Sequence, residues 1–413
     1  MKAELIITNI SKIYTSSQKA PVRGEKMKDI RIFEHASIAI KNGKIIALGD
    51  IDFEHYQDAK TKIIDAKNNI MIPGFIDSHT HLVHAGSRVK ETMMLIEGKS
   101  YLDILKEGGG ILSTVKQTRE SSFEDLYQKG AQDLTEMLSF GVTTVEAKSG
   151  YGLDFETEVK QLEVSKKLGE DQAIDIYNTY LGAHAIPKEF ESNRKSYISM
   201  VKNNMIYIKN NHLADAVDVF MEQGVFDYEE TKELLEEAKK LGFKIHLHAD
   251  EMIPLGGTKL GIELGASSVD HLMAMSTEDM KLLKSTKTIC NLLPSTSFFL
   301  NKDYAKARKM IESGACIAIS SDYNPGSAPS KNFQFAMQLA FNKLKMHPYE
   351  ILTAVTINPA YSLGIHEEVG TIDIGKQADL VLIDRENFES ILMSVGSNYV
   401  SQVFKKGKLV YSK

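Results

Sequence analysis

Eight apolar, strand-length runs separated by helix-length stretches occupy the middle of this 413-residue chain. They fall at residues 71–78, 142–147, 174–181, 215–221, 244–249, 267–271, 288–293 and 316–321. A short apolar run bounded by turn signals reads as a strand buried on both faces, the kind found in parallel sheets. The stretches between them carry helical periodicity. In residues 231–242, Leu234, Leu235, Ala238 and Leu241 form an i, i+1, i+4, i+7 stripe, and Gly242 supplies a C-terminal stop. Eight β-then-α units over about 250 residues have the size and rhythm of a TIM barrel. The expected fold is therefore α/β, with a (β/α)8 barrel over residues 71–368. An open doubly wound sheet is the competing layout, but its phosphate-binding glycine fingerprint is missing from the first strand–helix junction. The run Glu107-Gly108-Gly109-Gly110 has no strand before it and reads as a loop rather than a phosphate cradle.

The two chain ends differ from this middle and resemble each other. Residues 1–70 hold short β-rich runs, including Leu5-Ile6-Ile7 and Ala36-Ser37-Ile38-Ala39-Ile40. Asn42-Gly43 then signals a hairpin into Lys44-Ile45-Ile46-Ala47-Leu48-Gly49. Residues 369–413 repeat the style, with Leu380-Val381-Leu382-Ile383, Val403, the turn Lys406-Gly407-Lys408, and Leu409-Val410-Tyr411. Neither end has enough strands for a core of its own. The expectation is one small composite β-sandwich built from both ends, with the barrel inserted between them.

Composition narrows the function classes. The net charge is −6 and the charges are mixed along the chain, so no basic stripe points to nucleic acid. No apolar run approaches the ~20 residues that span a bilayer, and the N-terminal residues lack the pattern of a signal peptide. Cys290 and Cys316 both sit in apolar strand-like runs and read as buried free thiols. A reducing cytoplasm is the expected compartment.

The chemistry is carried by residues at the ends of the apolar runs. His79-Thr80-His81 closes the first run, and alternate side chains of a strand share a face. With 12 His in the chain, chance supplies about 0.3–0.4 His-x-His triplets, so the triplet alone decides little. Its setting decides more. His184 follows the third run, His248 ends the fifth, His271 the sixth, and Asp322 the eighth. In a TIM barrel such positions gather at one mouth. His79, His81, His248 and Asp322 are the expected metal ligands, a set that suits zinc or iron with a water at an open position. The fourth run ends in Val219-Phe220-Met221-Glu222-Gln223, with no lysine to bridge a second ion, so one metal is expected. Lys148 ends the second run and reads as an ion-paired lysine. Asp322 is placed to accept a proton from the water, Glu251 to reach a substrate nitrogen, and His271 to polarise a carbonyl.

Pro73-Gly74-Phe75-Ile76-Asp77-Ser78-His79-Thr80-His81 resembles the first-strand signature of the amidohydrolase superfamily. The tail resembles it too, in Thr356-Ile357-Asn358-Pro359-Ala360, Gly370-Thr371-Ile372 and Gly375-Lys376-Gln377-Ala378-Asp379. Further motifs are similar to one family within it, the imidazolonepropionases. These are His81-Leu82-Val83-His84-Ala85-Gly86-Ser87-Arg88, Gly108-Gly109-Gly110-Ile111, Lys148-Ser149-Gly150-Tyr151-Gly152-Leu153, Gly182-Ala183-His184-Ala185, His248-Ala249-Asp250-Glu251, Asp270-His271-Leu272 and Asp322-Tyr323-Asn324-Pro325-Gly326-Ser327. The resemblance implies hydrolysis of 4-imidazolone-5-propanoate to N-formimidoyl-L-glutamate and a homodimer. It implies that Arg88, Tyr151 and His184 bind substrate, with Arg88 on the propionate carboxylate. It places Glu251 by the ring nitrogen, and Asn324, Gly326 and Ser327 in a loop that contacts substrate or product. Leu293-Pro294-Ser295-Thr296-Ser297-Phe298 departs from the family pattern and implies a different pocket wall there.

Two other classes are weighed against this. A deaminase of a neutral heterocyclic base has less use for Arg88 beside Tyr151. A non-catalytic scaffold on the same barrel would be free to lose its ligands, and this chain keeps them.

Overall fold

The computed structural model describes residues 1–99 and 109–413. Glu107 and Gly108 of the glycine run lie outside the described residues. The eight expected barrel strands are present, with ends moved by a few residues: Phe75–Thr80, Val142–Lys148, Asp175–Ala183, Ala216–Val219, the interrupted pair Lys244–Ile245 and His248–Ala249, Ser268–His271, Ile289–Leu292 and Cys316–Ile319. Their pairings are all parallel.

The fifth strand is divided between two runs of sheet. Lys244–Ile245 pairs with the fourth strand, and His248–Ala249 pairs with the sixth. A bridge from Phe220 to His248 carries the sheet across the break. The barrel closes between its first and last strands, where His81 N donates to Tyr323 O at 2.8 Å and Asp322 N donates to His79 O at 3.1 Å. Catalytic candidates on strands one and eight thus sit on the closing seam.

The helix expected at 231–242 is Tyr228–Lys240. Its start is fixed by a capping box in which Asp227 accepts from Glu230 N and the Glu230 side chain reaches back. Leu234, Leu235 and Ala238 are buried against the sheet, as the stripe requires. Among the described residues, no helix is long and apolar enough to cross a membrane.

Strands from both chain ends share one eight-stranded sheet. Five come from the front, Leu5–Ser16, Ile30–Lys41, Lys44–Gly49, Lys62–Asp65 and Ile70–Pro73, and three from the back, Leu380–Ile383, Val400–Lys405 and Lys408–Ser412. Ile70–Pro73 pairs antiparallel with Leu380–Ile383 and so joins front to back. The sheet folds over on itself. The hairpin turns at Gly43 and Gly407 meet at Ala378, where Ala378 N donates to Gly43 O at 2.8 Å and Gly407 N donates to Ala378 O at 2.9 Å. Ile7, Ile38, Ile40 and Ile45 from the front then share one core with Leu380, Leu382 and Phe404 from the back. The Asn42-Gly43 turn has φ of 50° and 73°, the doubly left-handed conformation of a tight hairpin.

One boundary differs from the sequence expectation. The apolar run 71–78 is two strands, not one, and the end sheet continues past residue 70 to Pro73. Gly74 is the reason. It donates to Asp379 O in the end sheet, while Phe75 donates to Gly141 O in the barrel. A Cβ on Gly74 would stand 2.2 Å from Thr143 Oγ1 and 2.5 Å from its Cγ2. The chain can pass from one sheet to the other there because no side chain is present.

Gly74→Ala is expected to destabilise the fold by ~1–3 kcal/mol, the range for forcing a methyl into a packed core. The urea midpoint should fall, and Gly74→Ala/Thr143→Ala should recover part of the loss. An unchanged midpoint for the single variant would contradict the packing account.

Candidate metal centre and substrate site

The barrel interior is polar at its upper end. His79, Glu146, Lys148, Asp218, His246, His248, Asp270, His271, Asn291 and Asp322 are all buried there. Buried polar groups cost free energy unless paired, so each of these should have an identifiable partner. His79 Nδ1 lies 2.6 Å from Asp270 Oδ2, and His248 Nδ1 lies 2.9 Å from Asp218 Oδ2. At His79 the carboxylate hydrogen bond to Nδ1 fixes the tautomer and leaves Nε2 free to ligate. His79 Nε2 is indeed buried with no partner.

Those free atoms converge. Nε2 of His79 and Nε2 of His81 stand 3.5 and 3.6 Å from the same oxygen, Asp322 Oδ1. Ligands about 2.0–2.2 Å from a tetrahedral zinc are themselves roughly 3.3 Å apart. The spacing fits one shared ion. One ligand atom each from His79, His81 and His248 lies within 4.8 Å of the others, and the same holds for His79, His271 and Asp322. The four residues expected from sequence are therefore brought together, and His271 stands within the same reach.

Electrostatics keeps the His79, His81 and His271 rings neutral and ready to ligate. Burial, then the Lys148 ammonium, holds His79 well below the ordinary imidazole range. Burial, then the neighbouring rings, does the same for His81 and His271. For His248 burial also opposes charge, but the Asp218 carboxylate outweighs it and the net direction is up. Burial pushes the Asp322 carboxyl up to about 6, against a hydrogen bond from the Thr296 hydroxyl to its Oδ2. Burial, reinforced by Asp322, pushes Glu251 up to about 7. Glu251 Oε2 lies 3.7 Å from His271 Nε2. Backbone strain marks two of these positions. His271 and Asp322 have φ of 77° and 55°, values that cost a non-glycine residue and persist where the surroundings impose them.

The expected substrate residues line the same mouth. The His184 ring stacks on His81 at a centroid distance of 5.0 Å, and Tyr151 lies 5.2 Å from His184 and 5.6 Å from His81. His184 Nδ1 donates to Gly150 O at 2.9 Å, which leaves its other nitrogen toward the site. Arg88 Nε donates to Thr114 Oγ1 at 3.0 Å, and its Nη2 is buried with no hydrogen-bond partner among the described residues. The guanidinium lies against Gly326, where a Cβ would come within 2.2 Å of Nη1. Asn324 turns inward to its own loop. Its Nδ2 donates to Asp322 O and Ser327 Oγ, and its Oδ1 accepts from Gly326 N and Ser327 N.

Several contributors were missed from sequence. Asp218 and Asp270 stand behind two of the rings, and Glu146 and Asp218 are the partners, at 2.7 and 2.8 Å, of Lys148, which was expected to be ion-paired. The signal was there as charge at alternate positions of apolar strands, Glu146 and Lys148 in the second and Asp218 in the fourth. Glu158 and Gln161, one turn apart on helix Phe155–Asp171, also escaped notice. Glu158 accepts from Gly150, Gly152 and Leu153 N–H groups. Gln161 accepts from Tyr151 N and donates to Val83 O. Together they clamp the Tyr151 loop to the loop that leads to Arg88. The 293–298 segment, noted as a departure, supplies Thr296 to Asp322. Cys290 and Cys316 are buried and free, as expected.

Comparison with known proteins gives the family and the fold. The amidohydrolase family model matches residues 70–410. An imidazolonepropionase from Caldanaerobacter subterraneus subsp. tengcongensis is 49% identical over 406 residues, 98% of this chain and 97% of that one. One from Fusobacterium nucleatum is 44% identical and covers both chains fully. Among solved structures, an E. coli guanine deaminase superposes with a TM-score of 0.74 at 15% identity, covering 100% of each chain. At that identity it speaks for the fold alone.

His79→Ala and His248→Ala are each expected to lower bound metal from about one per chain to below about a tenth, because a depleted ligand set holds divalent ions far more weakly. Elemental analysis after gel filtration checks this. Full metal content in either variant would remove that residue from the site.

Proposed function

This chain belongs to the amidohydrolase family and, within it, to the imidazolonepropionases, and from that premise we propose how its barrel mouth opens the ring of 4-imidazolone-5-propanoate to give N-formimidoyl-L-glutamate in histidine degradation. The observation that carries the reading is the meeting, at one mouth, of a convergent His/Asp cluster and a buried guanidinium nitrogen with no hydrogen-bond partner among the described residues. The first suits hydrolysis of an amide, and the second suits a substrate that brings a carboxylate.

His79, His81, His248 and Asp322 would hold a divalent metal, which when bound would supply a water acidified to near neutral pH. Three imidazoles and a carboxylate suit zinc or iron. The remaining roles fall to the chain's own groups. Arg88 offers its planar fork to the propionate. Tyr151 and His184 form the wall beside it. Asp322, with its carboxyl pushed up to about 6, accepts the proton released when the nucleophile adds to the ring carbonyl. His271, kept neutral by burial, donates a hydrogen bond to the oxygen that gains charge. Glu251, pushed up to about 7, orients the ring through its N–H and helps move the proton to the departing nitrogen. Asn324 holds the loop of Gly326 and Ser327 against Arg88. A cytoplasmic homodimer completes the proposal.

The direct test is incubation of metal-loaded protein with freshly made imidazolone propionate, following loss of its ultraviolet absorbance and formation of formimidoylglutamate. Absence of turnover would overturn the reading.

Arg88→Lys is expected to raise KM about tenfold or more with a smaller change in kcat, because a point charge replaces a bidentate fork. An unchanged KM would move the carboxylate site elsewhere. Asp322→Asn and His271→Asn are expected to lower kcat by at least about 10²-fold, the usual scale for one acid–base or oxyanion group. Glu251→Gln should be milder, since an amide still hydrogen-bonds the ring. If Glu251→Gln keeps its metal and is as inactive as Asp322→Asn, then Glu251 is the essential base.

A further inference from the structure

We propose that Lys148 is a positioning residue for the metal centre, its ammonium holding Asp218 and Asp270 in the places from which they orient His248 and His79. The inference rests on the metal-site reading above. Lys148 ends the second strand, and its side chain is wholly buried. Its Nζ lies 2.8 Å from Asp218 Oδ2, 2.7 Å from Glu146 Oε1 and 3.9 Å from Asp270 Oδ2. Each aspartate uses that same oxygen on a ring. Asp218 Oδ2 is 2.9 Å from His248 Nδ1, and Asp270 Oδ2 is 2.6 Å from His79 Nδ1. Two rings from the first and fifth strands are thereby referred to one cation on the second. The three groups come from strands two, four and six, the alternate strands that fill one layer of a barrel.

A different role for the same lysine makes the opposite forecast. If Lys148 only balances charge, it repels a divalent ion held nearby, and its removal should tighten metal binding. If it positions the aspartates, its removal lets them relax away from the rings. Losing support of this kind behind a ligand weakens metal binding, typically by about 10–100-fold. The sign of the change separates the two. Glu146 provides a control. It pairs with Lys148 and touches none of the ligand rings, so it can be neutralised together with the lysine without cutting either arm.

The test is Zn2+ affinity of the metal-free protein, measured by competition with a chromophoric chelator, with unfolding of the same samples followed in parallel. Lys148→Met is expected to raise the zinc Kd about tenfold or more. Lys148→Met/Asp218→Asn should raise it by less than the product of the two single effects, because both changes cut the same arm. If Lys148→Met does not fold, Lys148→Met/Glu146→Gln takes its place with the same expected rise. An unchanged or tighter Kd in a folded variant would overturn the positioning role alone, provided the unaltered chain binds zinc. An unaltered chain that binds none would overturn the metal-site reading with it.

Discussion

Charge in a dry interior has to be answered by charge, and the upper barrel is organised around that requirement. Lys148 is wholly buried, and so are Glu146, Asp218 and Asp270 around it. Removing one partner from a buried ionic group typically costs about 3–5 kcal/mol, because the remaining charges lose their compensation. A core of that kind is a poor choice for stability alone, since apolar side chains of similar volume would do as well. Its value here lies in what it fixes. The carboxylates stand behind His79 and His248, and the His79 ring faces Asp322 across the closing seam of the barrel.

The same principle organises the rim at lower cost. Loops that carry the proposed substrate groups are held by buried side chains accepting backbone N–H groups. Glu158 and Gln161 do this for the Tyr151 loop, and Asn324 does it for the loop of Gly326 and Ser327. Each hydrogen bond contributes modestly, about 0.5–1.5 kcal/mol, but leaving one unmade in a buried site costs more. The loops are therefore ordered without rigid secondary structure. Arg88, Tyr151 and His184, supplied by three different βα connections, arrive at one wall.

Much of the layout was legible in the sequence, for reasons that can be named. Short continuous apolar runs and a stripe such as Leu234, Leu235 and Ala238 report burial directly, so the eight strands and their helices could be read. Ligands at strand ends could be read too, because the barrel sends every strand end to one mouth. What stayed hidden depends on contacts between distant segments. The passage from end sheet to barrel at Gly74 turns on Thr143, 69 positions away. Asp218 looks like any polar residue in a strand until His248 is placed beside it. Thr296 lay in a segment noted only as unusual, and its contact with Asp322 exists only once strands seven and eight are adjacent.

The central claim is that one divalent ion sits where His79, His81, His248 and Asp322 converge. A crystal of the metal-loaded protein, with diffraction recorded on either side of the metal's absorption edge, tests it most directly. The account predicts a single anomalous peak per chain within bonding distance of those four side chains. Two peaks, or one peak bounded by other residues, would contradict it.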